Sequence, residues 1–240
     1  MKPTLFILCY NSEKNINNCF KEIKKISNKC KKIYFVDNAS IDNSVDLIKK
    51  YKKKFRINNI YVIRNKKNLG MGGSWKVCLN FIKKNKISIS FFAHSSGKGQ
   101  IDNIVLNFLN VLKKKPKQEI ILASRFHHNS NLKNYSKIKI LGNKFFNFAT
   151  KLATGYNFSD SGCGILSING VNLKKINYNN FVNGPQFNPQ LNIYFKKNRL
   201  DVCEIPIKWS SGNVGSHINV IKYSLQLLKI IIFYFFIRKF

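Results

Sequence analysis

Acidic side chains are scarce in this chain. Its 240 residues hold ten Asp plus Glu against 42 Lys plus Arg, and none of the ten lies between positions 47 and 101. Mg²⁺ and Mn²⁺ prefer hard carboxylate oxygen, so no acidic metal site can be built from that stretch alone. Paired cysteines are also missing: the six, at 9, 19, 30, 78, 163 and 203, form no CxxC pair. Free buried thiols in a reducing compartment are therefore expected. No apolar run reaches the about 20 residues that a spanning helix needs. No signal peptide is evident, because Met1-Lys2-Pro3 leads straight into a short strand. A P-loop is excluded at Gly97-Lys98, since Gly99 follows the lysine. There are no internal repeats.

What is present is apolar and basic. An apolar content of 44% is enough for one sizeable α/β core. The net charge of +32 invites a nucleic-acid reading. The lysines, however, are spread over nearly every segment, and no nucleic-acid module is recognisable, so no specific nucleic-acid partner is expected. Anionic small partners and membrane surfaces fit better. The expected location is cytoplasmic, peripheral at the inner face of the membrane.

The segment at 91–102, FFAHSSGKGQID, organises the rest. The apolar run 87–93 predicts a buried strand. His94 to Gln100 is a polar loop, and apolar residues at helical spacing from Ile101 to Leu112 predict a helix. Free N–H groups at that helix start, with Lys98, would suit an anion. Elsewhere strands are expected at 4–10, 32–36, 60–63, 119–123 and 202–207. Helices are expected from Ser12, from Asp42, over 74–83, over 137–154 and over 187–195. Strands alternating with helices predict an α/β fold with a mainly parallel sheet and right-handed crossovers. The polar motifs follow strand ends and should converge on one crevice. His127 and His128 read as loop residues. The last segment, 218–240, joins Ile230–Ile237 to Lys222, Lys229, Arg238 and Lys239. It predicts an apolar, basic helix appended to a domain over 1–217 and lying in a membrane interface, with packing on the domain or on a partner subunit as the other reading.

These motifs together resemble family 2 glycosyltransferases of the GT-A fold, close to the dolichyl- and polyprenyl-phosphate sugar synthases. The resemblance covers roughly 5–217. It rests on Tyr10-Asn11, Asp37-Asn38-Ala39-Ser40, Asn68-Leu69-Gly70-Met71-Gly72 and Ser124-Arg125. It rests also on Leu141-Gly142-Asn143, on Asp160-Ser161-Gly162-Cys163-Gly164 and on Glu204-Ile205-Pro206. It implies a Rossmann-like sheet flanked by helices, and inverting transfer of a sugar from a nucleotide sugar to a lipid phosphate or a surface glycan. Tyr10, Asn11, Asp37, Asn38, Ser40, Asn68, Gly70, Gly72, His94, Ser96 and Lys137 become the expected nucleotide-sugar contacts. The glycines of 70–73 would let backbone approach the nucleotide closely.

The chain departs from the family most clearly at the metal-binding loop. Where the family holds a divalent metal with an Asp-x-Asp pair, it reads His94-Ser95-Ser96, and Lys98 fills the position of a third ligand. A leaving diphosphate still needs positive charge. Lys98, with Arg125 and Lys137, is expected to supply it in place of Mg²⁺ or Mn²⁺. Asp160 is expected to orient the acceptor, with a turn carboxylate bonded to backbone as the other reading. Two alternatives remain open: His94 as a metal ligand, and a fold that binds nucleotide sugars without catalysis. The family's later phosphate-binding element is only partly matched, by Gly215-Ser216-His217.

Overall fold

The structure, a computed structural model, describes residues 2–210 and 220–237. Four parallel strands come first: β1 (Thr4–Cys9), β2 (Lys32–Asp37), β3 (Ile60–Arg64) and β4 (Ile89–His94). Helices α1 (Glu13–Ile26), α2 (Ser44–Lys54) and α3 (Gly70–Lys84) connect them. Next come α4 (Ile101–Lys114), β5 (Ile120–Ser124), β6 (Asn131–Lys133) and α5 (Lys137–Thr154). The remainder is β7 (Leu166–Asn169), α6 (Phe187–Lys197), β8 (Val202–Pro206), β9 (Lys208–Ser210) and α7 (Val220–Ile237).

Seven strands form one sheet in the order β3-β2-β1-β4-β7-β5-β8, with β7 antiparallel to both neighbours. β6 and β9 make a separate small ribbon. The alternation along each strand splits the core in two. Leu5, Ile7 and Cys9 of β1 face α1, α2 and α4, whereas Phe6 and Leu8 face α3 and α6. On the second side Phe6 stacks on Tyr34 and on Phe92, each at 5.4 Å between ring centroids, tying the three central strands together. The α1 face read from sequence, Ile16, Cys19, Phe20, Ile23 and Ile26, is the buried face. Five of the cysteines are buried and free; Cys203 is half-buried.

The register levels the strand ends that matter. Cys9 lies opposite Asp37 and Leu8 opposite His94, so the loops after β1, β2 and β4 open at one height. Of the segment over 218–240, residues 220–237 are described and form α7. Along α7, Leu227, Ile231 and Tyr234 are buried at helical spacing, and the helix packs beside α5. No described helix is long and apolar enough to cross a membrane. The Gly215-Ser216-His217 element and the Arg238-Lys239 flank lie outside the described residues.

Helix α3 begins at Gly70, earlier than periodicity suggested, because glycine lets its first turn press against another segment. The Gly72 N–H donates to the Asn183 carbonyl at 2.7 Å. A Cβ on Gly72 would sit 2.3 Å from the Val182 carbonyl oxygen and 2.8 Å from the Phe187 Cβ. The glycine serves close packing inside the protein here. Gly72→Ala should therefore destabilise the fold by roughly 1–3 kcal/mol, the usual cost of overpacking, measured by chemical denaturation.

Candidate active site

The loops after β1 and β2 are built as one polar unit. Asn11 (φ 46°) and Ala39 (φ 60°) both take left-handed backbone, turning each chain sharply at the strand end. The Asn11 N–H donates to Ser40 Oγ at 2.9 Å, and Asn11 Oδ1 accepts from the Ile41 N–H at 3.0 Å. Ser12 is the cap residue of α1, but its hydroxyl does not cap. It pairs with Ser95 Oγ at 2.7 Å, and Asp42 takes over by accepting from the Glu13 N–H at 3.0 Å. These bonds fasten the β4 loop to the β1 loop.

The residues expected to hold a nucleobase are largely occupied by one another. Asp37 is fully buried and accepts from both the N–H and the hydroxyl of Ser40. Arg64 Nε lies 3.3 Å from the same carboxylate. Asn38 Oδ1 accepts from Asn65 and from the Leu69 N–H, while its amide donates to Asn68 Oδ1 at 2.8 Å and to the Gly70 carbonyl. Asp37 and Asn38 thus shape the walls formed by 39–41 and 68–70. Tyr10 and Ser96 remain partly exposed, and Lys137 is exposed at the start of α5.

In the β4–α4 loop the helix start is not free for an anion. The Ile101 N–H donates to Glu22 Oε2 at 2.7 Å, so a side chain from α1 caps α4. Burial raises the Glu22 pKa, and its bond to Ile101 opposes that. Ser95 is buried, with its hydroxyl against Ser12 and the Leu8 carbonyl. His94 is half-buried, and its imidazole is bonded to the Gly164 backbone. Burial pushes its pKa down to about 4, the Gly164 bond opposes the shift and Lys98 adds to it. A Cβ on Gly164 would lie 2.8 Å from His94 Nε2, so only glycine admits the ring there.

Lys98 is half-buried, and its carbonyl accepts from the Ser210 N–H at 2.7 Å, joining the loop to β9. Burial lowers its pKa, and Lys139 on α5 lowers it further by like-charge repulsion. Neither lysine forms an ion pair among the described residues. Sequence reasoning pointed to Lys137 and missed Lys139. Both sit at the start of α5, and only the orientation of the helix decides which ammonium approaches Lys98. Tyr135 was missed as well, since no motif marks it.

Arg125 and Asp160 are brought together, but as partners. Arg125 Nε and Nη2 donate to the two carboxylate oxygens of Asp160, both at 2.7 Å, and the Arg125 N–H donates at 2.9 Å. Nη1 reaches the Tyr135 hydroxyl at 3.1 Å and Nη2 also reaches Asn143 Oδ1 at 3.2 Å. Burial alone would lower the Arg125 pKa; the ion pair outweighs it and the pKa rises. Asp160 is only 1% exposed. Arg125 charge is thus balanced inside the protein, whereas Lys98 and Lys139 have no carboxylate partner among the described residues. Glu204 anchors the same loop by accepting from the Ser159 N–H at 3.1 Å and from its hydroxyl.

The donors present do not suit a divalent cation. Position 95 is turned inward, His94 is held by Gly164, and two ammonium groups stand nearby. Among the described residues, no three His, Cys, Asp or Glu side chains gather to hold a metal.

Two outcomes follow from this geometry. Asp160→Asn strands a buried guanidinium and should cost about 3–5 kcal/mol, read by denaturant unfolding. For His94, the folded protein refuses a proton that the unfolded chain accepts between about pH 4 and pH 6.5. Stability should fall as pH drops through that window, and His94→Asn should flatten the slope in thermal melts.

Residues 4–89 match the model described as Glycosyl transferase family 2. An uncharacterized protein of Methanocaldococcus jannaschii is 27% identical over 237 residues, covering 96% of this chain and 92% of its own. The UDP-N-acetylglucosamine–dolichyl-phosphate N-acetylglucosaminyltransferase of Methanococcus voltae is 25% identical over 214 residues, 85% of this chain and 84% of that one. Among solved structures, glucosyl-3-phosphoglycerate synthase from Mycobacterium tuberculosis in complex with UDP shares the fold. Its TM-score is 0.70 at 13% identity, over 96% of this chain and 79% of that one. The family match over residues 4–89, the relatives along nearly the whole length and the shared GT-A fold make this chain similar to family 2 glycosyltransferases, dolichyl-phosphate sugar transferases among them.

Proposed function

We propose that the chain transfers a sugar, with inversion, from a nucleoside diphosphate sugar to the phosphate of a polyprenyl lipid. In this reading Lys98 and Lys139 carry the charge of the departing diphosphate. The observation that supports it is the unpaired lysine couple at the cleft. Two ammonium groups that repel one another, one of them partly desolvated, gain most when an anion settles between them.

The chemistry asks little else of the protein. A phosphate oxygen of the acceptor attacks the anomeric carbon as the bond from that carbon to the diphosphate breaks. The electron pair leaves on the diphosphate oxygen, beside the lysines. A phosphate nucleophile is already anionic and needs no strong general base, which agrees with an Asp160 committed to Arg125. The pair holds the loop over 159–163 in place and sets the cleft wall. His94, neutral at physiological pH, spaces that loop from Lys98 through Gly164. The dolichyl-phosphate acceptor named for the Methanococcus voltae relative and the UDP in the solved neighbour support this choice of substrates.

A panel of UDP- and GDP-sugars, screened by thermal shift with and without divalent metal, will identify the donor. With that donor and a short prenyl phosphate, Lys98→Ala should lower kcat by about 10²–10³-fold, the usual cost of one electrostatic contact to a developing charge. Lys139→Ala should lose less, and His94→Ala less than Lys98→Ala. Turnover should persist in EDTA. Activity abolished by EDTA and restored by Mn²⁺ would overturn the lysine assignment.

A further inference from the structure

The loop over 94–100 holds Lys98 where the side chain would not stay unaided. Its ammonium is half-buried and repelled by Lys139. A group so placed is drawn back toward water, and a loop that turns at Gly97 (φ 67°) has the freedom to follow it. The loop is fastened at its two ends, by the Ser95 hydroxyl against Ser12 and by the Ile101 N–H on Glu22. Between those ends its main chain is tied to β9, which lies outside the seven-stranded sheet. The buried Gly99 forms an antiparallel bridge with Trp209, and the Ser210 N–H donates to the Lys98 carbonyl at 2.7 Å.

Trp209 connects that tie to a rigid anchor. One edge of its ring lies against Gly99, where an added Cβ would sit 3.6 Å from Trp209 Cε3. The ring also meets Arg125, whose guanidinium carbon is 5.5 Å from the indole centroid. Phe126 at 5.4 Å and Tyr135 at 5.8 Å present further aromatic rings to the same guanidinium. Arg125 is held in turn by Asp160, Tyr135 and Asn143. The indole nitrogen is buried with no hydrogen-bond partner among the described residues. A buried indole N–H normally finds one, so this side chain is retained for the contacts of its ring.

We propose that Trp209 is a positioning residue, which keeps Lys98 in the cleft by bracing its loop against Arg125. The catalytic consequence rests on the reading in which Lys98 meets the departing diphosphate; the brace itself does not.

Hydrogen–deuterium exchange on the full chain tests the brace without any substrate. In Trp209→Leu the amides over 96–100 should exchange faster than in the wild type, while those of β1 and β4 stay unchanged. Trp209→Phe keeps an aromatic ring toward Arg125 and loses only an unpartnered N–H, so it should exchange like the wild type. Ser210→Pro removes the N–H that reaches Lys98 and provides a second, independent release of the loop. Unchanged exchange over 96–100 in the leucine and proline variants would overturn the proposal. So would loosening spread equally over β1 and β4.

Kinetics with the donor and short prenyl phosphate named above test the consequence. Trp209→Leu should lower kcat by about tenfold or more, the cost of a misplaced reacting partner, and Trp209→Phe should restore most of it. In a Lys98→Ala background the leucine substitution should change kcat by less than about twofold, because nothing is left to position. Losses that multiply in the double variant would overturn the proposal. Full turnover by Lys98→Ala alone would strike the diphosphate reading, and the exchange result would still decide the brace.

Discussion

The buried pair of Arg125 and Asp160 is the constraint on which the second half of the molecule depends. A guanidinium taken out of water is tolerable only when its charge is met and its donors are filled. Asp160 meets the charge through two side-chain bonds and one backbone bond. Tyr135 and Asn143 fill what is left. Those partners come from the end of β5, the loop before α5, α5 itself and the turn after it. One ion pair thus fixes four segments that share little regular secondary structure. Glu204 from β8 supports the same turn one residue earlier, through Ser159. Removing either charge would leave the other stranded, so the pair is a structural necessity before it is anything else.

With that arginine committed, the balance of charge in the cleft changes. Carboxylates near the site are all engaged: Asp37 by Ser40 and Arg64, Asp42 by Ser44 and Glu13, and Asp160 by Arg125. Lys98 is left half-buried and in the field of the exposed Lys139, and neither forms an ion pair among the described residues. Each carries a Coulomb cost that an incoming anion removes, and burial of Lys98 strengthens the gain by lowering the local dielectric. In the reading proposed above, this is where a diphosphate sits without acidic ligands.

Much of this was legible in the sequence, for identifiable reasons. The strands after which the motifs lie are continuous apolar runs, and α1 and α5 show clear helical limits, so the order of elements could be read directly. The antiparallel β7 could not, since Leu166–Asn169 gives no sign of direction. Composition revealed the scarcity of acid and the odd place of Lys98. It could not reveal that Arg125 and Asp160 face each other, because a contact across 35 positions leaves no local trace. The glycines near 70 illustrate a different limit. Their pattern announces close approach, but whether to a ligand or to Asn183 depends on tertiary packing. The periodicity of α5 was plain, yet periodicity alone cannot say which face of a helix is turned outward.

The lysine at 98 also restricts how this crevice can change over generations. A carboxylate appearing alone at position 94 would lie in the field of that ammonium group, as the imidazole now does. The first partner it met would be a side chain. In the proposed reading, each acid gained here would first cancel positive charge that the departing diphosphate uses. The site is held in its present chemistry by the order in which replacements would have to occur.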